Sequence, residues 1–237
     1  MTARQIYEQL LIELDKVEAP TMLLNDFNYF INKAITQYVN KRYNMCEMNQ
    51  QLTDDLRVLK RNLNVNPINS NSELLFELPV DYLHLLNCIC IFDITNKCGG
   101  TVTHRYPAIR LTSDISAQIF NNYYNKPSYK RPFWQIKYDL TFEDSVLNIQ
   151  CGIDANDLTF VNIDYLKIPT EIILTTNQID SIIDNSQTLE FQDYVCYEII
   201  NELVKLVLEN ASDPRLQTHI PVNQTVGLPV QQPSNTK

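Results

Sequence analysis

Four soft metal ligands, His84, Cys88, Cys90 and Cys98, fall within fifteen residues of one another. On a strand, Cys88 and Cys90 would face the same side, as two ligands of one ion must. Structural zinc sites are built on CxxC knuckles, however, and no CxxC occurs in the chain. Thiols packed in an apolar core account for the same residues in a reducing compartment, so neither a metal nor a cofactor is expected. Hydrolytic chemistry has as little to stand on. His84, His104 and His219 sit beside no Gly-x-Ser-x-Gly elbow, and Asp54/Asp55, Glu143/Asp144 and Asp154/Asp157 read as helix caps and turn formers. A nuclease would need carboxylates converging from several strands, which a linear pattern does not reveal. The stretch His104-Arg105-Tyr106, Arg110 and Tyr129-Lys130-Arg131-Pro132-Phe133-Trp134 interleaves cations with aromatic rings. Such a pattern serves single-stranded nucleic acid in some proteins and protein contacts in many more.

The elements that would position these residues change character along the chain. Ile6, Leu10, Leu14 and Val17 place an apolar stripe on a helix over 2–17. Asn25-Asp26 offers a cap to a second helix ending near Arg42, with Phe27, Phe30, Ile31, Ala34, Ile35, Tyr38 and Val39 on its wide apolar face. A short helix starting at Thr53 would set Asp54 and Asp55 against its positive end and turn Leu56 and Leu59 inward. Residues 62–72, rich in Asn and Ser, read as a polar loop. Strands follow over 74–78, 87–95, 101–106, 134–140, 145–151, 158–168 and 171–175, with one helix over 112–124. A strong amphipathic helix over 187–209 then stops at Ser212-Asp213-Pro214. The predicted class is α+β, with helical parts at 1–62 and 187–210 forming one bundle layer, a β-rich insert at 73–176 with one short helix, and an extended tail at 211–237.

Composition narrows the function further. Twenty-eight acidic residues against nineteen basic ones give a net charge of −9, the wrong sign for a surface that embraces nucleic acid. With four glycines and neither GxGxxG nor GxxxxGK[ST], the chain lacks the loops that cradle nucleotide phosphates. No apolar run reaches membrane-spanning length, and the start of the chain reads as amphipathic helix rather than a signal peptide. The protein is therefore expected in the cytosol. Twenty-five residues are asparagine, and no mechanism follows from that count alone.

Two segments end at prolines in similar style. In Leu78-Pro79-Val80-Asp81-Tyr82, Pro79 fixes φ and removes a donor, so strand pairing should stop there and Asp81 should cap a tight turn aiming Tyr82 and Leu83 inward. In Tyr165-Leu166-Lys167-Ile168-Pro169 a strand runs out at Pro169. Beyond the last helix, the tail contains Leu216, Ile220, Val222, Val226, Leu228 and Val230, apolar groups that a lone extended segment cannot bury by itself.

The order of these parts over residues 20 to 225 resembles the head-to-tail connector proteins of tailed bacteriophages, also called adaptor, head-completion or ring proteins, of the short-tailed and crAss-like type. The strings that carry the resemblance are Leu-Pro-x-Asp-Tyr at 78–82, Pro-x-Trp at 132–134 and Tyr-x-Lys-x-Pro at 165–169. The resemblance implies a structural virion protein at the portal vertex, made in the host cytoplasm and catalysing no reaction. It implies a homo-oligomeric ring of about a dozen copies beneath the portal protein, extending the DNA channel and giving other tail or ring proteins a platform. Double-stranded DNA would pass through without specific binding, helped by a negative lumen, and no membrane is involved. Arg215, Leu216, Ile220, Val222 and Leu228 would dock the tail on a partner, with Pro79, Asp81, Tyr82, Tyr165 and Pro169 as structural corners. The other readings are a metal-dependent phage nuclease or hydrolase and a single-stranded nucleic-acid-binding module.

Overall fold

A computed structural model describes residues 1–14, 22–43, 50–70, 73–95, 99–112, 116–122, 124–139, 143–152 and 158–210. Along the chain run α1 (Ala3–Glu13), α2 (Leu24–Tyr43), α3 (Gln50–Leu56), a 3-10 turn (Arg57–Leu59), β1 (Lys60–Val65), β2 (Pro67–Ser70), β3 (Glu73–Glu77), β4 (Tyr82–Thr95), β5 (Thr101–Pro107), β6 (Ile109–Arg110), α4 (Ser116–Asn121), β7 (Phe133–Asp139), β8 (Asp144–Gln150), β9 (Leu158–Lys167), α5 (Thr176–Asp180) and α6 (Asp193–Asn210). The chain forms two units, Met1–Val58 with Pro169–Lys237, and Leu59–Ile168.

The expected α+β architecture is corrected by these elements. The protein is mixed α/β: the described residues form nine strands in two sheets and six α-helices, the longest of twenty residues. Three misreadings explain the difference. Residues 62–72 were expected as a loop because Asn and Ser disfavour strands, yet β1 and β2 lie there, each pairing in register with a partner. The final helix was expected from residue 187, but α6 begins at Asp193. The segment 171–175 was expected as a strand and belongs to neither sheet. The expected extended tail, 211–237, lies outside the described residues.

The first unit is built on helices with one buried stripe each. Thr2 and Gln5 close a capping box at the start of α1, and Ile6 and Leu10 are fully buried. On α2 the predicted face is buried at Phe27, Ile31, Ala34, Ile35, Tyr38 and Val39. Helix α3 starts earlier than the Thr53 cap predicted, so Asp54 and Asp55 sit near its C-terminal end, where the dipole opposes them. Leu56 is buried as read, and so is Leu59, the first residue of the second unit.

The second unit holds both sheets, in the orders β1-β9-β4-β5 and β2-β3-β8-β7-β6. Alternation along β4 turns Cys88, Cys90 and Phe92 inward, where they meet Phe76, Leu147, Ile149, Val161 and Ile163 from β3, β8 and β9 in one apolar cluster. The chain changes sheet at Asn66, at Leu78–Asp81 and at Ala108, corners of the kind that join packed sheets. On the opposite face of β1 and β9, the side-chain amide of Asn162 donates to Asn62 and Asn64 at 2.9 and 2.7 Å, and that of Asn62 donates to Asp164 at 2.7 Å. These amides bridge the two strands and offset the weak strand propensity of the segment. Gly152, two residues past the end of β8, has φ +63°, and a Cβ there would come within 2.3 Å of the Pro127 carbonyl oxygen.

Candidate interaction site

The two proline-ended segments meet. Pro79 stops β3, and the Pro79 carbonyl accepts from Tyr82 N–H at 2.9 Å, closing the turn that starts β4. Asp81 does not cap that turn. Its carbonyl accepts from Ile168 N–H at 2.7 Å, and its carboxylate accepts from the Tyr165 hydroxyl at 3.0 Å. The Tyr82 and Tyr165 rings lie 6.3 Å apart, and burial together with the bond to Asp81 pushes the Tyr165 phenol up. Asp81 is thus the pin between the start of β4 and the end of β9, which leaves the sheet just before Pro169. Arg215, Leu216, Ile220, Val222 and Leu228 lie outside the described residues.

The candidate metal ligands divide. Cys88 and Cys90 share the inner face of β4 and are fully buried, Cys98 lies outside the described residues, and burial lowers the pKa of His84. The Cys88 contact, with burial, pushes the Cys90 thiol up. Among the described residues no three His, Cys, Asp or Glu side chains are grouped as metal ligands, and no helix is long and apolar enough to cross a membrane.

The basic-aromatic stretch folds onto itself. Arg110 lies over the Trp134 ring, Lys130 over Tyr129 and Arg131 over Phe133, at 5.8, 5.6 and 5.6 Å. Tyr106, Tyr129 and Phe92 pack edge or tilted against one another, and His104 stacks on Tyr106. Faces engaged in this way are not platforms for splayed bases, whereas the cations remain exposed at Arg110, Lys130 and Arg131.

Three arrangements in the first unit were missed in the sequence. The first is a clamp. Asn28 accepts from Leu174 N–H and donates to its carbonyl, at 2.8 and 3.0 Å, and Asn32 does the same for Ile172 at 2.9 and 2.8 Å. Each side-chain amide takes the place of a strand partner. The spacing allows it, since four helical residues rise about 6 Å and two strand residues about 6.6 Å. A groove beside α2, lined by Tyr29, Lys33 and Gln37, reaches these same amides, which the chain's own backbone already occupies. Residues at i and i+4 opposite an alternating Ile172-Ile173-Leu174 were the available signal.

The second is a polar group around Asp55, which is 2% exposed. Its Oδ2 is 3.5 Å from the Tyr38 hydroxyl and its Oδ1 has no hydrogen-bond partner among the described residues. Burial raises the Asp55 carboxyl and the Tyr38 phenol, and burial with Asp55 nearby pushes Tyr194 up to about 12. Arg42 pairs with Glu198 beside them. The third is the turn Asp180–Asp184. Ile182 and Ile183 are 102% and 77% exposed, yet the backbone that carries them is braced. The single hydroxyl proton of Ser181 is shared between the carbonyls of Gln178 and Ile183, Arg4 donates to the Ser181 carbonyl, and Asp184 accepts from Thr2, from the Ser186 hydroxyl and from the Ser186 amide.

No family model matches the chain, and no curated protein matches it.

Proposed function

We propose that this chain is a connector subunit of a tailed-phage virion, a ring protein that binds the portal, extends the DNA channel and carries tail components. Its work is binding and geometry, with no reaction catalysed. The observation that carries the reading is the Asp81 corner. Two of the strings on which the resemblance rests, 78–82 and 165–169, are distant in sequence, yet Asp81 bonds to both Tyr165 and Ile168. They form one packed feature, which is what supports the reading.

Composition supports the same reading. The apolar tail residues Leu216, Ile220, Val222 and Leu228 follow a proline break and need a partner to be buried, and the net charge of −9 suits a channel through which DNA slides. In this reading the subunit assembles at the head-tail junction in about a dozen copies, after synthesis in the host cytoplasm. The test is deletion of residues 212–237. The truncated chain is expected to stay folded by circular dichroism and to lose its place on portal-bearing particles, whereas undiminished incorporation would remove the tail from the mechanism and the reading with it.

A further inference from the structure

We propose that the Asp180–Asp184 turn of one copy docks onto the basic edge formed by β6, the start of β7 and the loop before it in a second copy, a contact that rests on the ring reading and supplies its subunit interface. Charge is the first argument. The unit made of Met1–Val58 and Pro169–Lys237 carries nine Lys and Arg against seventeen Asp and Glu, a formal −8, and Leu59–Ile168 carries only −1. Within the latter, residues 99–138 hold six Lys and Arg against one Asp. Two copies joined through like surfaces would set positive against positive. A heterologous contact sets the positive edge of one copy on the negative unit of the next, and that geometry builds rings.

The turn has the chemistry of a plug. Two isoleucines held in water forgo the favourable transfer of their side chains out of it, and here they stand on a turn braced by five hydrogen-bond donors. Such bracing lowers the ordering cost of docking. Asp180 and Asp184 flank the isoleucines and are exposed. The edge offers the complement. Ile109 and Tyr124 are 44% and 89% exposed, and Arg110 and Lys130 are exposed as well. The ion pairs Met1–Asp193, Arg4–Glu8, Lys41–Glu202 and Arg42–Glu198 all lie in the acidic unit, and none of them engages Arg110 or Lys130. The Ile109 amide bonds to the Pro132 carbonyl at 2.9 Å, which holds β6 against the segment that follows Lys130. Nucleic acid is the weaker occupant, because Trp134, Tyr129 and Phe133 each already carry a cation of the chain itself over the ring.

Sedimentation velocity of the full chain over a range of concentrations tests the contact. The wild type is expected to self-associate, at least tenfold more weakly at about 0.5 M salt than at about 0.05 M. I182S/I183S and R110E/K130E should each weaken association at least tenfold. An equimolar mixture of the two variants should regain dimers but no larger species, because each mixed pair keeps one intact plug and one intact edge. Should R110E/K130E fail to fold, D180K tests the same contact from the plug side and should also weaken association. A wild type that stays monomeric at low salt, association untouched by both changes, or no dimer in the mixture would each overturn the proposal. So would R110E/K130E losing affinity for duplex DNA while self-association stands. Head-to-tail association without binding to portal-bearing particles would keep this contact and sink the ring reading. Full incorporation of I182S/I183S into such particles would sink the contact alone.

Discussion

Asp55 sits where a carboxylate is least welcome, almost fully enclosed near the C-terminal end of α3 with one oxygen unpartnered. Desolvation penalises its charged form, so its pKa in the folded protein is above the ordinary 3.8. A raised pKa means the folded state binds the proton more tightly than the unfolded state. Asp55 therefore gives its full contribution below pH 3.8 and loses it as the pH rises through the folded value. Asp55→Asn keeps the shape and removes the charge. The variant should match the wild type in acid and exceed its stability at pH 7, as read by urea unfolding at the two pH values. A loss of stability at pH 7 would show instead that attraction to Arg42 outweighs desolvation. Asp184 opposes this trend. Its bonds to Ser186 and Thr2 hold its carboxyl below the usual range, so its contribution is present above that range and fades in acid. The sequence misplaced Asp55 because Thr53-Asp54-Asp55 has the form of a helix start, whereas the helix already runs in from Gln50. By contrast, the proline stop at Pro79 was legible, since φ and the missing donor are properties of the residue itself. The partner of Asp81, eighty-four residues away, was not.

Among the elements, the segment 171–175 depends most on what faces it. Its alternation is that of a strand, with Ile172 and Leu174 each 2% exposed and Ile173 turned outward, but its ladder is made by side chains of a helix. Replacing Asn28 and Asn32 by Ala leaves α2 intact, because Ala is the better helix former. It orphans two amides and two carbonyls of the extended segment. N28A/N32A should cost on the order of 2–4 kcal/mol and should speed hydrogen exchange at Ile172 and Leu174 beyond that at Ile31 or Ala34. Equal protection in variant and wild type would mean that apolar burial alone holds the segment. Periodicity made α2, β4, β8 and β9 readable because their patterns report their own burial. It failed at β1, where Asn62 and Asn64 are compatible with a strand only through the facing Asn162 and Asp164.

The whole molecule is one unit inserted into another, and register shows why that arrangement is tolerated. The chain enters the sheet unit at Lys60 and leaves it at Lys167, and Lys60 pairs with Leu166 across the antiparallel β1–β9 ladder. Entry and exit are therefore neighbouring strand positions, about 5 Å apart at the Cα atoms, and the helical unit is interrupted at a single point. Loop-closure entropy grows only with the logarithm of loop length, so an insert that pins its own ends together places little entropic load on its host. The sheet unit also owns its apolar cluster, with Phe76, Cys88, Cys90, Phe92, Leu147, Val161 and Ile163 all contributed from within 59–168. Residues 59–168 alone should consequently give a monomer with strand-rich circular dichroism and one cooperative urea transition. Residues 1–58 joined to 169–237 through a short Gly-Ser turn should retain the helical signal. If the excised sheet unit unfolds without cooperativity while the full chain melts in a single step, its core is completed by the host and the insertion is structural in both directions. If both pieces fold, the acidic and basic surfaces of the proposed contact can be carried on separate molecules, and their association, weakened by salt, should survive the cut.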